Sequence, residues 1–275
     1  MDLGEARMIP AFATGLLDDA AMFPPGSLPL DAAVPAHRRH RAAPHAPAVG
    51  PLVVAATALP TLHAILAETP GAPLAVALTA PDGPAQALDA LRAADPALVD
   101  VVALEIAVPD DPAAFFAGLG TPGPDVYAEI PRDARRDDVL AGLAATGHRA
   151  KFRTGGVTAD LYPGVDELAA AISAAVAAGV PFKATAGLHR AVRATDPATG
   201  FDQHGFLNLL LAAHAARTGG DVAAALAERD PAIVAAAVAD AAPARRSFLS
   251  FGTCSVREPL DDLAALGLIP AGDPA

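Results

Sequence analysis

The stretch "AKFRTGGV", residues 150–157, sets Lys151 and Arg153 around Phe152 in an apolar run and leads straight into a diglycine. A second stretch, "PFKATAGLH" at 181–189, repeats the plan with Lys183 and Gly187. Side chains alternate across a strand, so Lys151 and Arg153 share one face and Phe152 takes the other; Lys183 and Thr185 pair in the same way. Each lysine therefore stands where a buried strand ends and a glycine-containing turn begins. Cations at that position suit the carboxyl ends of parallel strands, which is where α/β folds place their sites.

Outward from these two stretches, β-type runs recur with helix-like segments between them, the alternation that builds a parallel sheet. They are "PLVVAAT" (51–57), "PLAVALT" (73–79), "VDVVALEIAV" (99–108), "DVYAEI" (125–130), "RAKFRT" (149–154), "PFKATA" (181–186) and "SFLSFGT" (247–253). A short run, "AAMF" at 20–23, supplies an eighth strand ahead of a helix from about 30 to 41, which Pro35 is expected to bend or interrupt. Eight βα units predict a (β/α)8 TIM barrel occupying the whole chain, 1–275, as one domain; an open doubly wound sheet is the alternative. The stretch from about 190 to 246 exceeds a simple connection and reads as a helical insertion between the seventh and eighth strands, able to cap the site. A short low-complexity end, "PAGDPA", closes the chain.

Composition narrows the partners. The chain is 53% hydrophobic and 18% charged, with 19 Lys and Arg against 31 Asp and Glu. A net charge of −12 opposes binding to a phosphate backbone, so nucleic acid is not an expected partner, and any anion must be caught locally. The single cysteine, Cys254, excludes an internal disulfide framework and fits a reducing, cytoplasmic setting. The apolar run "MIPAFATGLL" (8–17) is too short to span a bilayer and is followed by Asp18 and Asp19, so neither a membrane segment nor a signal peptide is expected. Self-association into a homo-oligomer stays open.

Two lysines pointing into a barrel have a chemical use. A desolvated amine beside other cations gives up its proton more easily, and a neutral amine attacks a carbonyl to form a Schiff base. "AKFRTGGV", "PFKATAGLHR" and "LSFGTCSV" together resemble the last three strands of deoxyribose-phosphate aldolase and its class I aldolase relatives. The resemblance implies Lys151 as the Schiff-base nucleophile and Lys183 as the neighbour that lowers its pKa. "LVDVVALEI" (98–106) resembles the family's fourth strand, which implies Asp100 as the proton-transfer carboxylate. The strand turns imply an anion site made by Arg153, Thr154, Gly155, Thr185, Gly187, Gly252 and Ser255.

The match covers roughly 98–190 and 247–256. It departs from the family at Phe152 and Arg153, where small hydroxyl residues are usual, at Ala184 and Ala186 in place of a proline and a glycine, and at Cys254 in place of a serine. The chain is also similar to a group of bacterial proteins that begin with a "DDAAMFPPG"-like stretch. The expected substrate is a small, anionic (phosphorylated or carboxylated) aldehyde or ketone, cleaved or joined at a carbon–carbon bond with no cofactor. An isomerase or non-covalent lyase using the lysines electrostatically, and a barrel that binds an anionic metabolite without turnover, are the alternatives.

Glu105 competes with Asp100. The two are five residues apart, so an unbroken strand points them to opposite sides; Glu105 lies nearer the carboxyl end, while the motif favours Asp100. Glu129, at the end of the fifth strand, reads as a salt-bridge partner for the cations. His37 and His40 in "HRRH" have helical spacing, but the surrounding cations repel a metal ion, and a solvated helix face is the better reading; no metal site is expected. His204 in "FDQHGFLN" could reach the site. Cys254 has no histidine nearby in sequence and reads as a small packed residue.

Overall fold

A computed structural model describes residues 8–270; the last five residues of the low-complexity end lie outside the described part. Eight parallel strands close into a barrel: β1 (Leu17–Asp19), β2 (Val49–Ala55), β3 (Leu74–Ala80), β4 (Val99–Ala107), β5 (Asp125–Glu129), β6 (Arg149–Arg153), β7 (Phe182–Thr185) and, last in the chain, β10 (Phe248–Thr253). Each strand pairs with its sequence neighbour in the barrel, and β1 pairs with β10 to complete the ring. The open-sheet alternative is thereby excluded. The first strand lies three residues earlier than "AAMF", because Leu17 faces the helices while Asp18 takes the lumenal side.

The helices that cover the barrel are α1 (Leu30–Ala42), α2 (Leu59–Glu68), α3 (Pro84–Ala93), α4 (Pro112–Leu119), α5 (Arg136–Thr146), α6 (Val165–Ala177), α7 (Phe206–Thr218) and α10 (Arg257–Ala265). Pro35 is accommodated inside α1, which runs through it as one helix. Between strand wall and helices lies the main core, to which Phe152, Phe182, Phe248 and Phe251 contribute from the outward faces of β6, β7 and β10. Phe152 and Phe182 meet at 5.2 Å edge to face, and Phe206 of α7 stacks on Phe251 at 4.7 Å. A separate, smaller cluster of Val53, Ala77, Ala103 and Tyr127, with Leu249, fills the lumen. The outward phenylalanines thus fix the neighbouring lysines inward, as the alternation requires.

The stretch between β7 and β10 begins with a two-stranded hairpin, β8 (Ala194–Thr195) with β9 (Asp202–Gln203). It continues with α7, α8 (Val222–Ala227) and α9 (Pro231–Ala241). α7 packs on α6 and β10 and so fills the place of the crossover helix; α8 lies on α6 and α7, and α9 on α7. The helices of this stretch therefore stand in and outside the helical ring, and it is the loop ahead of α7 that meets the strand ends.

β4 carries a bulge. Val101 is opposite Val76 and Ala103 opposite Ala77, so Val102 has no partner on β3. The extra residue resets the alternation and brings Asp100 and Glu105 onto the same side of the sheet. They are nevertheless far apart: Asp100 is opposite Ala75 and Glu105 opposite Thr79, about 13 Å along the strand direction.

Candidate active site at the carboxyl end of the barrel

Lys151 and Lys183 are directly opposite each other in the β6–β7 ladder, and both are buried. Their ammonium groups share one carboxylate. Glu105 Oε1 accepts from Lys183 Nζ at 2.5 Å, and Glu105 Oε2 lies 2.9 Å from Lys151 Nζ. The network extends both ways from this bridge. Lys183 also donates to Asp18 Oδ2 at 2.5 Å, which in turn accepts from Ser250 Oγ at 2.8 Å. On the other side Lys151 Nζ lies 3.2 Å from Glu129 Oε2, and Arg153 Nε donates to Glu129 Oε1 at 2.9 Å. The order is Asp18, Lys183, Glu105, Lys151, Glu129, Arg153: three carboxylates alternating with three cations drawn from β1, β7, β4, β6 and β5.

From Lys183 onward exposure rises along that chain. The side chains of Lys183 and Glu105 are 2% exposed, that of Lys151 7%, that of Glu129 25% and that of Arg153 37%. Burial alone would raise the pKa of Glu105, but the ammonium groups of Lys151 and Lys183 outweigh it and hold the carboxyl down at about 2. Burial works against the charge on Lys183 as well, and its contacts with Asp18 and Glu105 reverse that and hold the ammonium above the ordinary lysine range. Asp18, fully enclosed, is raised by burial more than Lys183 lowers it. Glu129 is held below the usual carboxylate range by Lys151 and Arg153 despite its own burial. Under the network, Lys183 Nζ sits 5.3 Å from the centre of the Tyr127 ring, a cation–π contact.

Several sequence expectations are corrected by these positions. Asp100 is exposed at the amino end of β4 and is not part of the site; Glu105 holds the place assigned to it. The motif favoured Asp100, but a carboxylate can meet the lysines only at the end of the barrel where they lie. Lys183 is expected to act on Lys151 by charge repulsion; instead Glu105 stands between the two ammonium groups and binds both.

At the strand turns expected to hold an anion, the turns after β6 and β7 are in contact. Thr154 is buried and spends its hydroxyl on the carbonyls of Thr185 and Ala186 at 3.1 and 2.6 Å. A Cβ added to Gly155 would stand 2.8 Å from Gly187 Cα and 2.7 Å from Tyr162 Cε1, so the two turns touch and the Tyr162 ring walls them. A Cβ on Gly252 would meet Thr185 Oγ1 at 3.2 Å, and Ser255 Oγ accepts from the Glu258 N–H at 3.3 Å at the start of α10. Of the expected anion residues, Arg153 alone keeps a guanidinium with nitrogens outside these contacts.

Three further residues differ from expectation. His37 is buried, not solvated, and its Nδ1 lies 2.9 Å from Asp19 Oδ2, tying α1 to the end of β1. His204 is also buried and acts as a clamp: its Nε2 lies 2.9 Å from the Pro163 carbonyl and its Nδ1 3.2 Å from Arg193 Nη1. Burial pushes its pKa down to about 4, so the ring is neutral, with Nε2–H donating and Nδ1 accepting. Cys254 does find a histidine in space, since His189 Nδ1 is 3.8 Å from its Sγ and 3.2 Å from Glu258 Oε2.

Sequence reading missed Asp18, Ser250 and Tyr127 as members of the network. The adjacent acids Asp18 and Asp19 at the end of an apolar run were the available signal. Among the described residues no group of three or more ligating side chains could hold a metal ion, and no helix is long and apolar enough to cross a membrane. Compared with known proteins, the chain matches no family model and no curated relative. What fold and site define is a (β/α)8 barrel with a buried, alternating Lys/carboxylate chain at the carboxyl ends of its strands.

Proposed function

We propose that the protein is a Schiff-base lyase of the class I aldolase type, acting on a small carbonyl compound through Lys151. The observation that carries the reading is the in-register lysine pair bridged by Glu105, with Lys151 on the more exposed side and a second carboxylate, Glu129, beside it. For attack, Lys151 must pass one ammonium proton to a base. Glu105, held at about 2 between two cations, is a poor acceptor; Glu129, nearer the mouth, is the better placed one. The amine then adds to the carbonyl carbon, the carbonyl oxygen leaves as water, and the protonated imine takes up the electron pair of the bond between its α and β carbons as a base removes the β-hydroxyl proton, releasing an aldehyde or ketone and leaving an enamine. Protonation of the resulting enamine and hydrolysis of the imine restore Lys151. Lys183 and Asp18 hold Glu105 in place.

The test is reduction with borohydride in the presence of small aldehydes and ketones, read by peptide mass spectrometry. An adduct on Lys151 that disappears in Lys151→Met supports the reading; adducts on exposed amines alone overturn it. A non-covalent isomerase is the second reading, favoured by the position of Lys151 Nζ between two carboxylates, which suits a permanent ammonium that stabilises an enediolate. It predicts exchange of α-hydrogens in deuterated water without any adduct.

A further inference from the structure

A cavity outside the lumen lies beside the rim of the barrel. It has a volume of about 280 Å³ and lies between the outer face of β6 and the first turns of α6, roofed by the loop from β5 to α5. Its lining divides by chemistry. Ile130, Pro131, Phe152, Pro163 and Leu168 give it apolar lining, and Arg132, Arg136 and Arg153 line it as well.

The carboxylates on the lining are already engaged. Glu167 accepts from Arg132 Nε and Nη2 at 2.6 and 2.8 Å, and Asp133 accepts from Arg135 Nη2 at 2.6 Å. Arg136 and Arg153 are different. Each uses only its Nε, toward Asp137 at 3.2 Å and Glu129 at 2.9 Å, so among the described residues their terminal nitrogens have no partner. Two guanidinium groups with free forks beside apolar lining suit one kind of ligand: a monoanionic or dianionic group, carboxylate or phosphate, on a short carbon chain. The volume is at the small end for ligand sites, which excludes a nucleotide-sized molecule.

We infer that this cavity is an anion site of the protein, with Arg136 and Arg153 holding a carboxylate or phosphate on a short carbon chain. The binding of this anion does not depend on the lyase reading of Lys151. Arg153 links the two places, because the same side chain lines the cavity and donates to Glu129, the neighbour of Lys151. An anion on the terminal nitrogens of Arg153 offsets the charge of one of the two cations acting on Glu129. Occupancy of the cavity thereby makes Glu129 a better acceptor for the Lys151 proton, and couples recognition of the acid group to the reacting amine.

The experiment is calorimetric titration of the full chain with inorganic phosphate, butyrate and the neutral isostere butyramide. Phosphate and butyrate are expected to bind and butyramide not. Arg136→Gln and Arg153→Gln should each weaken the anion affinity tenfold or more, with Arg136→Lys retaining part of it. Equal affinity for butyrate and butyramide, or phosphate affinity within twofold of the parent in both glutamine variants, overturns the inference. The titration needs no turnover, so failure of the imine test leaves its outcome readable. Arg136 is on the surface at the start of α5, and a thermal melt of each variant checks that the fold is kept.

Discussion

Lys151 and Lys183 face each other across one rung of the β6–β7 ladder, yet both ammonium groups end on the same carboxylate, that of Glu105. Two like charges in a lumen would repel by a few kcal/mol at an effective dielectric near 20. Glu105 converts that repulsion into two attractions, and Asp18 and Glu129 continue the alternation outward.

Replacing Glu105 with Gln keeps the shape and removes the charge that both lysines share. The expected loss of stability is about 3–5 kcal/mol, the usual cost of leaving buried charge unpaired. Urea denaturation measures it, and a loss under about 1 kcal/mol would mean that the ion network does not hold the lumen together. Combining Glu105→Leu with Lys183→Met should cost less than the sum of the two single changes, because the pair is removed as a unit.

Acid stability should fall in two windows. His204 has a folded pKa depressed to about 4 from 6.5, so between those values the unfolded chain binds the extra proton and stability drops as pH falls, by roughly 3 kcal/mol in all. Glu105 is depressed from 4.5 to about 2, so its contribution is complete above 4.5 and is lost on the way down to 2. Asp18, being raised, acts in the opposite sense at pH values above 3.8, where stability rises as pH falls. Chemical denaturation in steps from pH 7 to about 2 reads both, and His204→Gln should flatten the upper window while leaving the lower one.

Ala186 has φ of +65° and Gly187 +68°, two successive left-handed residues in the turn after β7. The alanine carries strain there that a glycine avoids, so Ala186→Gly should stabilise the protein by about 1 kcal/mol. A melting temperature that fails to rise would show that the turn relaxes around the alanine.

Gly155→Ala should do the reverse. Its new Cβ would press on the backbone of Gly187 and the Tyr162 ring, neither of which is a flexible chain end. A loss of about 1–3 kcal/mol is expected, with increased hydrogen exchange at 154–156 and 186–188 as the two turns separate. Unchanged exchange at both turns would contradict their contact.

The part of this protein that its sequence determined by itself is the part governed by local period and polarity. Runs of apolar residues with inward Lys151 and Lys183 against outward Phe152 and Phe182 specify strands, their faces and their carboxyl ends, because alternation is a property of neighbouring residues. Glu105 was legible on the same grounds, by its nearness to the strand end, although the motif around Asp100 pointed elsewhere. The tertiary structure alone decided which charges meet. Lys183 and Asp18 are 165 residues apart and come together only because β1 closes the ring against β10, with β7 next to it. The bulge at Val102, the Tyr162 wall over Gly155 and Gly187, and the meeting of Cys254 with His189 have the same origin. Each depends on how one strand or loop abuts another, a relation set by the closure of the barrel and carried by no single stretch of chain.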